Sequence, residues 1–357
     1  MLRVFERWID RYFADEEAVL LSIAIVVALI FILTLGHLLA PFLAALVFAF
    51  LMQGSVNLLK RIRVPHLFAV LIVFVGFMGL FFAALFFLFP IVIEQSSNLI
   101  REVPGMIRHW QEILLLLPER YPHLISEERL AELTGYMQRE SAKFAEAALT
   151  FSVSKFPNVI VVLVYLVVVP LLVFFMLKDR QYLLGALSSM LPKKRSVMDQ
   201  VGREMNVQIA NYVRGKAAEV AIVGVVSYIS FRVLGVNYAA LLALLVGLSV
   251  VIPYIGAAVV TVPVLLVGLF QWGWSGEFFW LFIVYGVIQF LDGNVLVPLL
   301  FSEAVNLHPI AIILAILIFG GIWGFWGVFF AIPLATLIKA LYNAWPRNIP
   351  SEELSQS

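Results

Sequence analysis

The sequence predicts an all-α polytopic membrane protein with about 6–8 membrane-spanning helices, two inverted re-entrant helical hairpins and a helical extramembrane segment. Three observations carry that expectation. Hydrophobic residues make up 62% of the 357-residue chain and charged residues 13%, against about 45–50% and 25% in soluble domains. Apolar runs of span length recur from Ala18 onward. Two runs near the C-terminus, 238–270 and 308–341, are about 33 residues each and broken in the middle by helix-disrupting residues, whereas one helical crossing needs only about 20.

The elements follow in order. Residues 1–17 mix Arg3, Arg7 and Arg11 with Glu6, Asp10, Asp15, Glu16 and Glu17. A cleavable signal has a cleaner basic start and a shorter apolar core, so the run from Ala18 is expected to be a retained first span. The expected spans are 18–38, 39–59, 67–93, 158–177 and 215–234, then the broken run 238–270, a continuous span 278–300 and the broken run 308–341. Pro41, Gln53, Gly54 and Asn57 make 39–59 the weakest of these. They group into N-terminal spans (1–93), a helical extramembrane segment (94–157), spans with a cytoplasmic amphipathic connection (158–234), a transport core (235–345) and a disordered tail (346–357). Arg3, Arg7 and Arg11, then Lys60, Arg61 and Arg63, then Lys178, Arg180 and Lys193–Arg195 all fall on one side if 18–38 and 39–59 form a hairpin. The positive-inside rule makes that side cytoplasmic, with 94–157 outside.

In 94–157, Pro104, Pro118 and Pro122 are expected to divide the chain into short helices. Ser126 with Glu127 and Glu128 resembles a helix start, followed by Leu130, Leu133, Met137 and Phe144 as an apolar stripe. No paired nucleophile and base accompanies it, which argues against a soluble catalytic domain and against an enzyme. The polar stretch Asp179–Asn206 continues into the fifth span through Asn211, Arg214, Lys216 and Glu219. Either this is an interfacial helix feeding a span, or these four residues line the cytoplasmic mouth of a pathway.

The first broken run is interrupted at Pro253-Tyr254-Ile255-Gly256, the second at Gly320, Gly321, Gly324 and Gly327. A displacement of 71 positions puts Gly327 on Gly256 and Pro333 one place from Pro263. Backbone that turns inside hydrocarbon survives only where it is buried in protein or lines a cavity. Paired interrupted segments of this kind point to a transport site. If each run enters and leaves by one face, with 278–300 crossing between them, the hairpins enter from opposite faces with tips near the midplane. The alternative is that the glycines serve only close helix packing.

Between the broken runs, Tyr285, Gln289 and Asp292 share a helix face, followed by Asn294 and Pro298. Pro298 cannot donate to the Asn294 carbonyl four residues back. An ionisable residue inside a membrane is costly and marks function by default; the alternative places Asp292 at the helix end, within reach of headgroup water. Asn306, His308 and Pro309 precede the second broken run, where His308 suits a hydrogen-bonding or hinge role. No histidine has a ligand partner at workable spacing, no phosphate loop of the GxxxxGK[ST] kind occurs, and there are no cysteines. No metal and no cofactor is expected. A formal net charge of +1, with no basic run longer than Lys193–Arg195, argues against nucleic acid as a partner.

Val251-Ile252-Pro253-Tyr254-Ile255-Gly256, Tyr212-Val213-Arg214-Gly215, Asn294…Pro298…Asn306-Leu307-His308-Pro309 and the glycine-rich stretch ending in Ala331-Ile332-Pro333 resemble the autoinducer-2 exporter (AI-2E) superfamily. The overall text is most similar to its PerM-type permease branch. The resemblance implies a multi-pass, homo-oligomeric transporter of the bacterial inner membrane. Members are associated with autoinducer-2 export and with sodium/proton antiport. The leading expectation is therefore a secondary transporter that exports a small polar, autoinducer-2-like solute by alternating access, driven by an ion gradient. Its partners would be the bilayer, the solute, and sodium or a proton. The alternatives are a sodium/proton antiporter and a non-transporting scaffold for cell-envelope partners.

Overall fold

Inside hydrocarbon only a helix satisfies its own N–H and C=O groups along one segment, and the apolar runs fold accordingly. The computed structural model describes residues 16–115, 135–136, 139, 159–189, 191, 195–301 and 307–344. Every regular element among them is helical: α1 (Glu16–Arg61), α2 (His66–Ala83), α3 (Phe89–Leu115), α4 (Val159–Lys178), α5 (Arg180–Ser189), α6 (Ser196–Leu234), α7 (Ala239–Ser249), α8 (Ile255–Trp272), α9 (Gly276–Leu291), α10 (Val297–Phe301), α11 (Pro309–Phe329) and α12 (Ala331–Ala344). Short π-helical segments, Ala84–Leu88 and Asp292–Leu296, join α2 to α3 and α9 to α10. Among the described residues, six stretches are long and apolar enough to cross a membrane: Leu38–Arg61, His66–Arg108, Ser196–Leu234, Ile255–Trp272, Gly276–Phe301 and Pro309–Phe329.

Two expectations are corrected here. Residues 18–38 and 39–59 do not form a hairpin: α1 is one 46-residue helix that passes through Pro41. At 1.5 Å per residue it is about 69 Å long, so the shared side assigned to Arg3–Arg11 and Lys60–Arg63 loses its basis. Pro104 does not end a helix either, since α3 continues through it to Leu115. In both cases proline removes only one donor and the helix continues, at Pro104 even with Gly105 beside it. The Ser126 start, the Leu130–Phe144 stripe and the 346–357 tail lie outside the described residues.

The chain divides into two compact units, one from Met1–Phe77, Val167–Glu219 and Gly293–Ser357, the other from Met78–Leu166 and Val220–Asp292. In the first, Ala45, Ala49, Met52 and Val56 recur at helical spacing on α1 and are buried against Ala69 and Val70 of α2 and Val173 and Leu177 of α4. Lipid is as apolar as leucine, so such helices associate by close packing, which the small Ala45 and Ala49 permit. His66 Nε2 lies 3.0 Å from the Lys178 carbonyl, among the terminal carbonyls of α4 that lack intrahelical donors. Glu17 accepts from the Val197 and Met198 amides at 2.7 and 3.0 Å, which puts a carboxylate on the positive end of α6. Val201 and Met205 of α6 pack on Ala340 of α12.

In the second unit, α7 packs on α3 and α8, and α8 on α9. Gly247 of α7 meets Gly224 of α6 backbone to backbone, where a Cβ would lie 3.0 Å from the Gly224 Cα. A side chain on Gly268 of α8 would overlap Leu281 of α9. The Leu241 amide donates to Gln95 of α3 at 2.9 Å, which fixes the start of α7.

Candidate functional site

Both broken runs fold back on themselves. Gly256 is buried, and a Cβ there would fall 1.8 Å from the Ser249 carbonyl oxygen; one on Gly327 would fall 1.8 Å from that of Phe319. Residues seven or eight apart in a continuous helix are separated by about 10–12 Å along its axis, so the chain reverses between each pair. These are the two glycines that the 71-residue displacement superposes. The first reversal passes through Tyr254 at φ 62°. The second passes through Gly324 at φ 59° and ψ −135°, a backbone region essentially restricted to glycine. The first hairpin is also tied at its open end. Gln271 accepts from the Asn237 amide at 2.8 Å and donates to the Gly235 carbonyl at 2.7 Å. In the second, the reversal falls inside α11, which packs along α12. His308 caps α11 through Nδ1, which accepts from the Ile310 amide at 3.3 Å.

A polar chain runs between the first hairpin and α9. The Tyr285 hydroxyl is buried 3.0 Å from Thr261 Oγ1, and Gln289 Nε2 donates to it at 3.0 Å. The Tyr285 ring faces Phe231. Asp292 lies at the end of α9, with Oδ1 shielded from solvent, and opens the π-helical segment Asp292–Leu296. That widening immediately precedes Pro298, where the missing proline donor predicts an irregular ladder. Asn294 and Pro298 are exposed.

On α6, Lys216 and Glu219 form an ion pair at 2.8 Å with side-chain exposures of 6% and 2%. Lys216 Nζ also sits 5.3 Å over the Phe301 ring, within cation–π range. Phe301 closes on Gly215, where a Cβ would lie 2.7 Å from its ring. One turn back, the buried Tyr212 hydroxyl donates to the Phe329 carbonyl at 2.9 Å, joining α6 to the second hairpin.

The structure therefore sorts the sequence candidates. It joins Tyr285 and Gln289, and adds Thr261, whose signal was its isolation as the one polar side chain in α8 before Gln271. It divides the four expected mouth residues. Asn211 Oδ1 accepts from Arg214 at 3.1 Å on an exposed face, whereas Lys216 and Glu219 are buried. Pro253 and Gly256 lie at the first reversal. Gly320, Gly324 and Gly327 lie at the second, while exposed Gly321 touches nothing nearby. Asn306 is outside the described residues.

Long apolar helices, broad exposed apolar surface such as Val75, Phe87 and Val233, and two helix reversals within apolar runs define a multi-pass membrane protein. The chain belongs to the AI-2E transporter family, whose model matches residues 20–347. It is 46% identical over 346 residues to PerM of Escherichia coli (strain K12), which carries the name of a permease, covering 97% of this chain and 98% of that one. YrrI of Bacillus subtilis (strain 168), named as a transport protein, is 26% identical over 84% of both chains. MT0215 of Mycobacterium tuberculosis, also named as a transport protein, is 29% identical over 88% of this chain and 85% of its own.

Proposed function

We propose that this protein is a secondary transporter of the bacterial inner membrane that exports a small polar, autoinducer-2-like solute by alternating access, driven by an ion gradient. One observation carries the reading. The hairpin α7–α8 is closed at its tip by Gly256 on Ser249 and at its open end by Gln271 on Asn237 and Gly235. Its first arm has 11 residues, about 16 Å of helix, where the hydrocarbon core is about 30 Å thick. Such a hairpin enters the bilayer and returns to the face it came from. Its turn needs a protein-lined or wet surrounding, as a permeation path supplies. The chain Thr261–Tyr285–Gln289 offers a polar solute hydroxyl and amide groups there, with Asp292 one turn further along α9.

The second reading is sodium/proton antiport, favoured by the ionisable groups Asp292, Lys216 and Glu219 within the spans. Efflux from proteoliposomes separates the two. Movement of autoinducer-2 that depends on an imposed sodium or proton gradient supports export. Exchange of sodium for protons without solute supports antiport. Neither flux from correctly inserted protein overturns both and leaves a scaffold. The exporter is further proposed to be a homo-oligomer, since the amphipathic α3 presents exposed Ile91 and Ile93 for cover by another copy. A monomeric mass in mild detergent and in nanodiscs overturns that part.

A further inference from the structure

The first unit contains a cavity that the transport reading does not use. It has a volume of about 510 Å³ and lies among α1, the α4–α5 junction and α6, within the size range of small-molecule pockets. Its polar lining is Arg180, Arg214, Gln53, Asn57 and Asn206, with no carboxylate. Arg180 donates to Asn206 Oδ1 at 3.4 Å. Arg214 donates to the Ala210 carbonyl at 2.9 Å and to Asn211 Oδ1 at 3.1 Å. Among the described residues neither guanidinium is ion-paired with a carboxylate. Gly54 makes room for Arg214, whose Nη1 would lie 3.5 Å from a Cβ at that position.

The remaining wall is apolar and open to the outside: Phe42, Leu184 and Leu187 line the cavity and are 45%, 52% and 61% exposed. Helix α5 begins two residues after the apolar α4 ends at Lys178. A short helix at that position, with Leu183, Leu184 and Leu187 exposed, fits the membrane interface, where an apolar face dips into the acyl boundary. Arg180, its first residue, then stands at headgroup depth.

We infer that this cavity is a binding site for one anionic phospholipid of the surrounding bilayer. Arg180 and Arg214 hold the phosphate, Asn57 and Asn206 lie beside it for the glycerol headgroup, and an acyl chain runs over Phe42, Leu184 and Leu187. Two guanidiniums with no acidic partner among the described residues suit a phosphate, which they can bind through parallel N–H donors. Basic pockets between membrane helices hold anionic headgroups on the same grounds. A soluble anion would leave the apolar wall unused, and a neutral lipid would leave the net charge of the two arginines uncompensated.

The test is native mass spectrometry of the purified full-length protein, titrated with phosphatidylglycerol or phosphatidylcholine. Wild type is expected to prefer phosphatidylglycerol by about tenfold or more, with each arginine contributing as basic residues do beside anionic lipid. The double variant Arg180→Gln/Arg214→Gln should lose that preference. Gly54→Leu, which fills the cavity beside Arg214 and removes no charge, should lose it too. Arg203→Gln, on the exposed surface of α6 outside the cavity, should keep it. An unchanged preference in the double variant or in Gly54→Leu overturns the inference. So does an equal loss in Arg203→Gln, which would mean general surface attraction. Displacement of phosphatidylglycerol by inorganic phosphate alone would assign the site to a soluble anion and overturn the lipid reading.

Discussion

Replacing Gly256 by alanine tests the hairpin at its tightest point. The new Cβ would start 1.8 Å from the Ser249 carbonyl oxygen, and real Cβ contacts essentially never fall under 3.0 Å, so one arm must retreat by about 1.2 Å. The neighbour is backbone, with no flexible side chain to swing away. Overpacking of this kind costs about 1–3 kcal/mol, and a backbone-on-backbone clash belongs at the upper end. Alanine returns about 1 kcal/mol of helix propensity relative to glycine. The expected net loss is about 2 kcal/mol. Gly286→Ala on exposed α9, where nothing lies within 4 Å, receives only the propensity gain of up to about 1 kcal/mol. The two variants should therefore differ by about 3 kcal/mol although they make the same chemical change. Unfolding midpoints of the purified proteins in mixed micelles, followed by tryptophan fluorescence, read that difference. Equal midpoints would refute the tip contact and, with it, the closed hairpin on which the transport reading rests.

The other expectations are more direct. Cysteines at Tyr238 and Phe270 should react with an impermeant thiol reagent from the same face of the membrane, and labelling from opposite faces sinks re-entry of the first hairpin. Lys216→Met or Glu219→Leu alone should each destabilise the protein by about 3–5 kcal/mol, because each removes the ion-pair partner of a buried charge; the double variant should come close to wild type. Additive losses in the double-mutant cycle would show that the pair is not coupled. Asp292→Asn should abolish gradient-coupled transport in proteoliposomes while leaving assembly intact, and Pro298→Ala should weaken transport less; wild-type rates in Asp292→Asn return that residue to a helix-end acid.

The two chain reversals were legible because their signals are local. Run length together with Pro253, Gly256, Gly324 and Gly327 marks where a helix cannot continue, and the 71-residue displacement pairs the two glycines that each meet a carbonyl. The uninterrupted α1 was not legible. Pro41 weakens one rung of the ladder, and only the surrounding structure decides whether a membrane helix bends, stops or continues there. Thr261 was visible as a lone polar residue, but its partner Tyr285 is 24 positions away, and a contact at that range leaves no mark on sequence spacing.

Helix α6 shows why the remainder of the site was harder to read. Tyr212, Lys216 and Glu219 follow the spacing i, i+4, i+7, and Asn206, Ala210 and Arg214 the spacing i, i+4, i+8; each set forms one stripe of a 3.6-residue helix. The first stripe is buried against Phe301 and Phe329, and the second lines the cavity. Periodicity separates the stripes, yet it does not say which one packs. In a soluble helix the apolar face marks the core. In a membrane helix lipid and protein neighbours are both apolar, so that contrast vanishes. The deciding clue is Gly215 within the first stripe's turn, where a Cβ would lie 2.7 Å from the Phe301 ring. Close approach at a glycine therefore replaces hydrophobicity as the marker of the packed face, and α6 presents a closed ionic face and an open basic one from a single stretch of polar sequence.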